Sequence, residues 1–213
     1  MDNLQTTVKT RALSALCWCF NWLYADCLND RTFDYFLMIH ADITPMYPNR
    51  WMTKLINEAN NAGADLFSVV SPIKNQDGLT STGLISNEHP KERRLSMTEI
   101  MAMPETFNAT NVARVFGWEQ DTNIRLLVNT GCMLIDLRRN REIWESMHFK
   151  THDNIVRVNG KFEATFVPED WDFSEQAHAN GLRVGATRAV HITHSGGFDY
   201  TNVGAWGQKA SDV

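Results

Sequence analysis

Tyr35-Phe36-Leu37-Met38-Ile39 is a continuous apolar run of strand length that stops abruptly at His40-Ala41-Asp42. A strand apolar on both faces suits a sheet covered on both sides, as in parallel α/β proteins. Pro45 and Pro48 mark a loop after it. The spacing of Trp51, Leu55, Ala59 and Ala62 then predicts a helix from about Asn49 to Asn61, with Gly63 where a C-cap glycine belongs. Leu66-Phe67-Ser68-Val69-Val70 is the next buried run. Strand, helix and strand with short connections predict a right-handed parallel unit. Ligands in such sheets gather at the carboxyl ends of the strands, where His40-Ala41-Asp42 and Ser71-Pro72-Ile73-Lys74 both fall.

Upstream, Leu4 to Leu28 reads as a helix with Leu16, Phe20 and Leu23 on one face and Trp18, Trp22 and Ala25 widening it. Its apolar part, Leu13 to Leu28, is interrupted by Asn21 and Asp26, and it falls short of the roughly 20 apolar residues of a membrane span. Downstream, Lys74 to Glu119 is less regular and rich in Gly, Thr, Ser and Asn, with a capping box at Ser96-Met97-Thr98-Glu99 opening a short helix. Ile124 to Val128 and Cys132 to Leu137 read as strands around Asn129-Thr130-Gly131, and Arg139 to Met147 as a helix. Asn159-Gly160 between Asn154–Val158 and Lys161–Phe166 predicts a hairpin. Pro168 opens a helix through Asn180, Gly181 ends it, and Leu182 to Val190 makes a last strand before a polar, glycine-rich tail. The expected architecture is one α/β domain over residues 1–213, with a mainly parallel central sheet flanked by helices and a small hairpin element.

The net charge of −5 argues against nucleic acid as a partner, because coating phosphates takes a surplus of Lys and Arg. A small anionic ligand stays open, since a metal ion can supply positive charge locally. The four cysteines form no CxxC pair and no disulfide framework, which points to a reducing compartment, the cytoplasm.

Three segments carry candidate chemistry. A carboxylate at the end of a buried strand, Asp42 beside His40, is held rigidly and suits a hard cation bound to a diphosphate. An Asp that caps the loop before Pro45, with a His packed on it, has the same pattern. Pro168-Glu169-Asp170-Trp171-Asp172 places three acids in a first helical turn, which the helix dipole favours whatever the function. Trp171 among them resembles the floor of a sugar site, and carboxylates are the usual bases for activating a hydroxyl. In His191-x-x-His194-Ser195-Gly196-Gly197, two histidines could share a metal, and the glycines let backbone approach a ligand. A flexible tail reads the same way.

In this order the segments resemble the GT-A glycosyltransferases, particularly the family 2-like members. Phe36 to Pro45 is similar to their strand and D-x-D motif, with His40 in place of the first Asp. Pro168 to Phe173, followed by Ala177 to Val184, resembles their E-D-x-D helix and the strand after it. Asn129-Thr130-Gly131-Cys132-Met133-Leu134-Ile135 resembles the glycine-containing strand on the acceptor side, and His194-Ser195-Gly196-Gly197 their late metal-binding histidine. The resemblance implies a metal-assisted transfer of a sugar from a UDP- or GDP-sugar to a hydroxyl acceptor. Asp42, His194 and His40 would hold Mn²⁺ or Mg²⁺. Asp170 would be the general base and Glu169 its support; Arg11, Asp42 and Lys74 would bind the donor. Trp171, Asn129, Gly131 and Asp172 would line the acceptor side. The family's base-binding strand, helix and strand precede the helix with which this chain starts, so the expectation is that the base is held differently, that another chain supplies that surface, or that the sequence is a fragment. A homo-oligomer that buries part of Leu4–Leu28 is expected for the same reason. Two other readings are a non-catalytic nucleotide- or sugar-binding scaffold and a metal-dependent phosphohydrolase built on His40, Asp42, His191 and His194.

Overall fold

The computed structural model describes residues 4–86 and 92–207. Along the chain lie α1 (Leu16–Asn29), β1 (Tyr35–Ile39), β2 (Ile43–Pro45), α2 (Trp51–Ala62), β3 (Leu66–Val69), β4 (Leu79–Ile85) and β5 (Glu92–Ser96). There follow α3 (Met97–Met101), β6 (Thr106–Asn108), α4 (Ala109–Phe116), β7 (Arg125–Leu127), β8 (Cys132–Asp136) and α5 (Arg141–Ser146). The last third holds β9 (His152–Val158), β10 (Lys161–Val167), α6 (Glu169–Ala179), β11 (Val184–Thr187), β12 (Ile192–Ser195) and β13 (Asp199–Thr201). Residues 1–3, 87–91 and 208–213 of the expected 1–213 domain lie outside the described residues.

The central sheet has the order β1-β8-β3-β11-β6. Both β1 and β3 run in the same direction, as expected, but β8 lies between them and is antiparallel to each. Among the described residues only β3 and β11 are parallel neighbours, and β6 closes the far edge antiparallel to β11. The expectation of a mainly parallel sheet is therefore wrong: the molecule is mixed α/β, and antiparallel pairing dominates its four small sheets. An apolar run reports burial on both faces and says nothing of a neighbour's direction. Cys132–Asp136 is buried at every position and takes the slot between β1 and β3.

Two further expectations change. Residues 4–15 are not helical; α1 begins at Leu16, where the apolar stripe begins. The β-branched residues Thr6, Thr7, Val8 and Thr10 lose side-chain freedom in a helix. This segment instead lies back along α1, with Lys9 paired to Asp26. The tail after His191 contributes strands: β12 pairs with β13 on one side and with β2 on the other. The irregular middle also holds a sheet of its own, β5-β4-β7. The helix predicted over 49–61 is α2, and Gly63 caps it at φ 63°.

The sheet is packed on both faces. Phe20, Tyr24, Phe149 and Phe173 stack and edge together beneath α1 and α6, with ring centroids 4.2–5.9 Å apart. On the other face, Leu55 and Ala59 of α2 cover Phe67, Leu134 and Ile192. Full burial of side chains of this size contributes about 1.5–3 kcal/mol each. Among the described residues no helix is long and apolar enough to cross a membrane.

Candidate functional site

Register decides what meets at the sheet's edge. Ile39 lies opposite Cys132, and Thr187 opposite Val69. The ends of β1, β3 and β11 and the start of β8 therefore share one edge, and His40, Ser71 and the Asn129–Gly131 turn emerge there together.

Asp42 sits in the tight turn between β1 and β2, where Ile43 N–H donates to the His40 carbonyl at 3.0 Å. Pairing of β12 with β2 sets His194 opposite Ile43, and Ser195 N–H donates to the Asp42 carbonyl at 2.8 Å. The His194 imidazole thereby reaches Asp42, with Nε2 3.5 Å from Oδ2. Its Nδ1 lies 2.7 Å from the Pro72 carbonyl. A carbonyl only accepts, so Nδ1 carries the proton at that contact, and Nε2 is the ring nitrogen turned toward Asp42. Lys74 Nζ completes the group at 2.5 Å from the same Oδ2. A Cβ on Gly196 would stand 2.9 Å from Lys74 Cδ, so glycine there leaves room for the lysine stem.

Burial works to raise the Asp42 carboxyl, but the Lys74 ammonium and His194 outweigh it and hold it below its ordinary value. Burial pushes His40 down, which Asp42 only partly offsets, so the imidazole is neutral. The His40 ring stacks on Phe20 of α1 at 5.3 Å. Two buried polar atoms in this group have no protein partner, His40 Nε2 and Asp42 Oδ1. Leaving such atoms unpaired costs about 1–3 kcal/mol each, and a ligand would relieve it.

The second group is the first turn of α6. Asp170 is only 8% exposed. Burial first, then the charge of Glu169, pushes its pKa up to about 7, against the Trp171 N–H it accepts at 2.8 Å and the nearby Arg94 guanidinium. The helix dipole alone would lower it. Asp172 faces the hairpin base, where His152 Nε2 lies 2.6 Å from Oδ1. Trp171 packs inward: its Nε1–H donates to the Ser81 carbonyl at 2.9 Å, and the Arg94 guanidinium lies 4.8 Å over its ring. A Cβ at Gly83 would stand 2.5 Å from that indole, so glycine is required for the ring to lie on β4.

The Asn129–Gly131 turn ties the two groups together. Gly131's carbonyl accepts from His40 N–H at 2.9 Å, and Thr130 Oγ1 donates to Glu169 Oε1 at 3.3 Å. Asn129 braces the turn from within, accepting from Gly131 N–H and donating to the Val69 carbonyl. Compared with protein-family models, with curated proteins and with solved structures, the chain has no match. What the site can do rests on its own geometry.

Of the residues singled out from sequence, Asp42, His40, His194 and Lys74 are brought together, and Glu169 and Asp170 form the group across the turn, while Asp172 turns to His152 and Gln176. Arg11 is placed elsewhere, with its guanidinium 4.2 Å over the Trp22 ring and 5.2 Å over Trp18 in the segment before α1. His191 is turned to the Tyr47 ring at 5.6 Å. Among the described residues no three His, Cys, Asp or Glu side chains close into a group placed to hold one ion. Sequence reading missed Arg94, which acts on both Asp170 and Trp171, and His152, which acts on Asp172. It also missed Cys17 at the start of α1, whose thiol burial and Glu169 push up. None of the three stands in a motif.

Proposed function

We propose that the chain is a glycosyltransferase that moves a sugar from a UDP- or GDP-sugar to a hydroxyl acceptor, with inversion. The observation that carries this reading is Asp170, a buried carboxyl poised at about 7 and joined through one turn to the Asp42–His194–Lys74 group. A base works best when its pKa lies near the working pH. Asp170, as the carboxylate, takes the acceptor proton while Glu169, tethered to Thr130, keeps its pKa high. Lys74 brings a positive charge to the donor diphosphate. Asp42 and His194, with His40 Nε2 and Asp42 Oδ1 unpartnered, fit a Mn²⁺ or Mg²⁺ that takes few protein ligands and completes its shell with substrate phosphates and water. When bound, such an ion supplies charge to the leaving diphosphate. A cytoplasmic setting is in keeping with four free cysteines.

The test has two arms. Thermal shift with UDP and GDP, with and without Mn²⁺, should reveal a stabilising nucleotide; a ligand at a hundred times its Kd adds about 2.7 kcal/mol. Asp170→Asn should keep that shift while lowering turnover by about 10² or more. Full transfer by the variant would remove Asp170 from the mechanism, and no response to any nucleotide would remove the reading itself.

A further inference from the structure

Among the described residues, β9 and β10 form a two-stranded sheet that no third strand joins. Asn159 (φ 50°) and Gly160 (φ 83°) make its two-residue turn, and the register runs from Val158↔Lys161 to Val167↔His152. Residues directly opposite share a face, so Ile155, Ala164, Phe162 and Phe166 lie on one side with Asp153 and Arg157. That face is open: Ile155 is 71% exposed, Phe162 76% and Phe166 59%. A lone two-stranded hairpin is marginal in water, and independent stability takes three or more strands.

The strand edges are open as well. Residues that flank a two-residue turn exchange both backbone hydrogen bonds, and the pattern alternates from there. Asp153, Ile155 and Arg157 therefore direct their N–H and C=O groups away from β10. Ile155 N–H is occupied only locally, by Asn154 Oδ1 at 2.8 Å. A row of such groups is a template for another strand.

We propose that β9 is the contact strand of a two-fold dimer, pairing antiparallel with β9 of a second copy about Ile155. In that register Ile155 meets the partner's Ile155, Asp153 faces the partner's Arg157, and Arg157 faces the partner's Asp153. Both cross-strand charge pairs are attractive, and the three residues involved are those whose backbone groups point outward. The result is a four-stranded sheet that carries the apolar residues of both hairpins on one face, with the two Asp153–Arg157 pairs along its seam. The same operation on β10, about Ala164, would set Phe162 against the partner's Phe166 but pairs no opposite charges. The charge pattern selects β9.

Sedimentation of the full chain from about 1 to 100 µM, the range of ordinary protein affinities, should show a dimer. Asp153→Arg and Arg157→Asp should each weaken it by about tenfold or more through facing like charges. The double variant, with both charges exchanged, should recover dimerisation to within about threefold of the original. Both substitutions are on exposed positions, and an unaltered circular-dichroism melt would confirm the fold. A monomer at the highest concentration overturns the proposal. So does a dimer indifferent to either single change, or a double variant that stays monomeric. Flotation of a monomeric chain with phosphatidylcholine–phosphatidylglycerol vesicles would assign the apolar face to a lipid surface instead.

Discussion

Two groups of acids lie toward opposite ends of the central strands, and burial is nearly the same in both. Asp65 and Asp136 are 3% exposed, Asp170 8%. Their protonation goes opposite ways. Burial would raise all three, but Asp136 accepts from Arg138 and Arg139, and Asp65 from Arg183, which hold both carboxyls below the ordinary range. Asp170 has no such bidentate cation; its neighbours are Glu169, which adds to the rise, and Arg94, which only partly opposes it. Burial alone therefore does not mark a working acid. Saturated pairing marks a structural carboxylate, and buried acids left short of counter-charge mark a reactive one.

Breaking the saturated end should give the largest effect. Asp136→Asn removes the charge that Arg138 and Arg139 share, and losing one member of a buried pair costs about 3–5 kcal/mol. Because both guanidinium groups are partly hydrated, about 3 kcal/mol is expected from urea unfolding at pH 7. No loss of stability would show that this end is ornamental.

At the other end the same substitution should do the reverse. A rise from 3.8 to about 7 limits the penalty on ionised Asp170 to about 4 kcal/mol. Asp170→Asn is therefore expected to stabilise the fold by about 1–3 kcal/mol at pH 8, after relaxation around the charge. The folded state holds this proton longer than the unfolded chain. The stability it contributes is present below about pH 4 and lost as pH rises toward about 7. A variant less stable than the original at pH 8 would contradict the assigned shift.

The acid limb sharpens the contrast. Asp65 and Asp136 titrate below 3.8 in the folded chain, so their contribution is present above that pH and lost as pH falls through their lowered values. Unfolding followed from pH 5 to 2 should show a shallower loss in Asp136→Asn than in the original chain. Smallest of all should be Lys74→Met, since the Lys74–Asp42 pair is partly exposed: about 1 kcal/mol or less in stability. The Asp42 carboxyl should still titrate higher in that variant, as read by carbon NMR. An unchanged value would mean that His194 alone sets it.

What could be read from sequence was local. Gly63 and Gly181 announce helix ends by their left-handed backbone, Ser96 and Glu99 close a reciprocal cap, and Asn159-Gly160 can hardly be anything but a hairpin turn. One misreading was local, the helix expected over residues 4–15; the others were non-local. Nothing in Cys132–Asp136 says that it will separate β1 from β3. Nothing in Ile192–Ser195 says that it will pair with Ile43–Pro45. Yet the second pairing carries His194 to Asp42, which spacing along the chain left open and only the resemblance anticipated. Arg94 and His152 were illegible for the same reason: each matters through a neighbour more than seventy or about twenty residues away.

The one parallel pair among the described residues, β3 with β11, also sets a clock. Asp65 and Arg183, which clamp its start, are 118 residues apart. At about 5–20 residues synthesised per second, β3 waits roughly 6–24 s for that neighbour. During this interval Leu66-Phe67-Ser68-Val69 offers an unsatisfied apolar edge to any other nascent chain. Yield of native protein in cells should therefore respond to synthesis rate and temperature more than its final stability would imply.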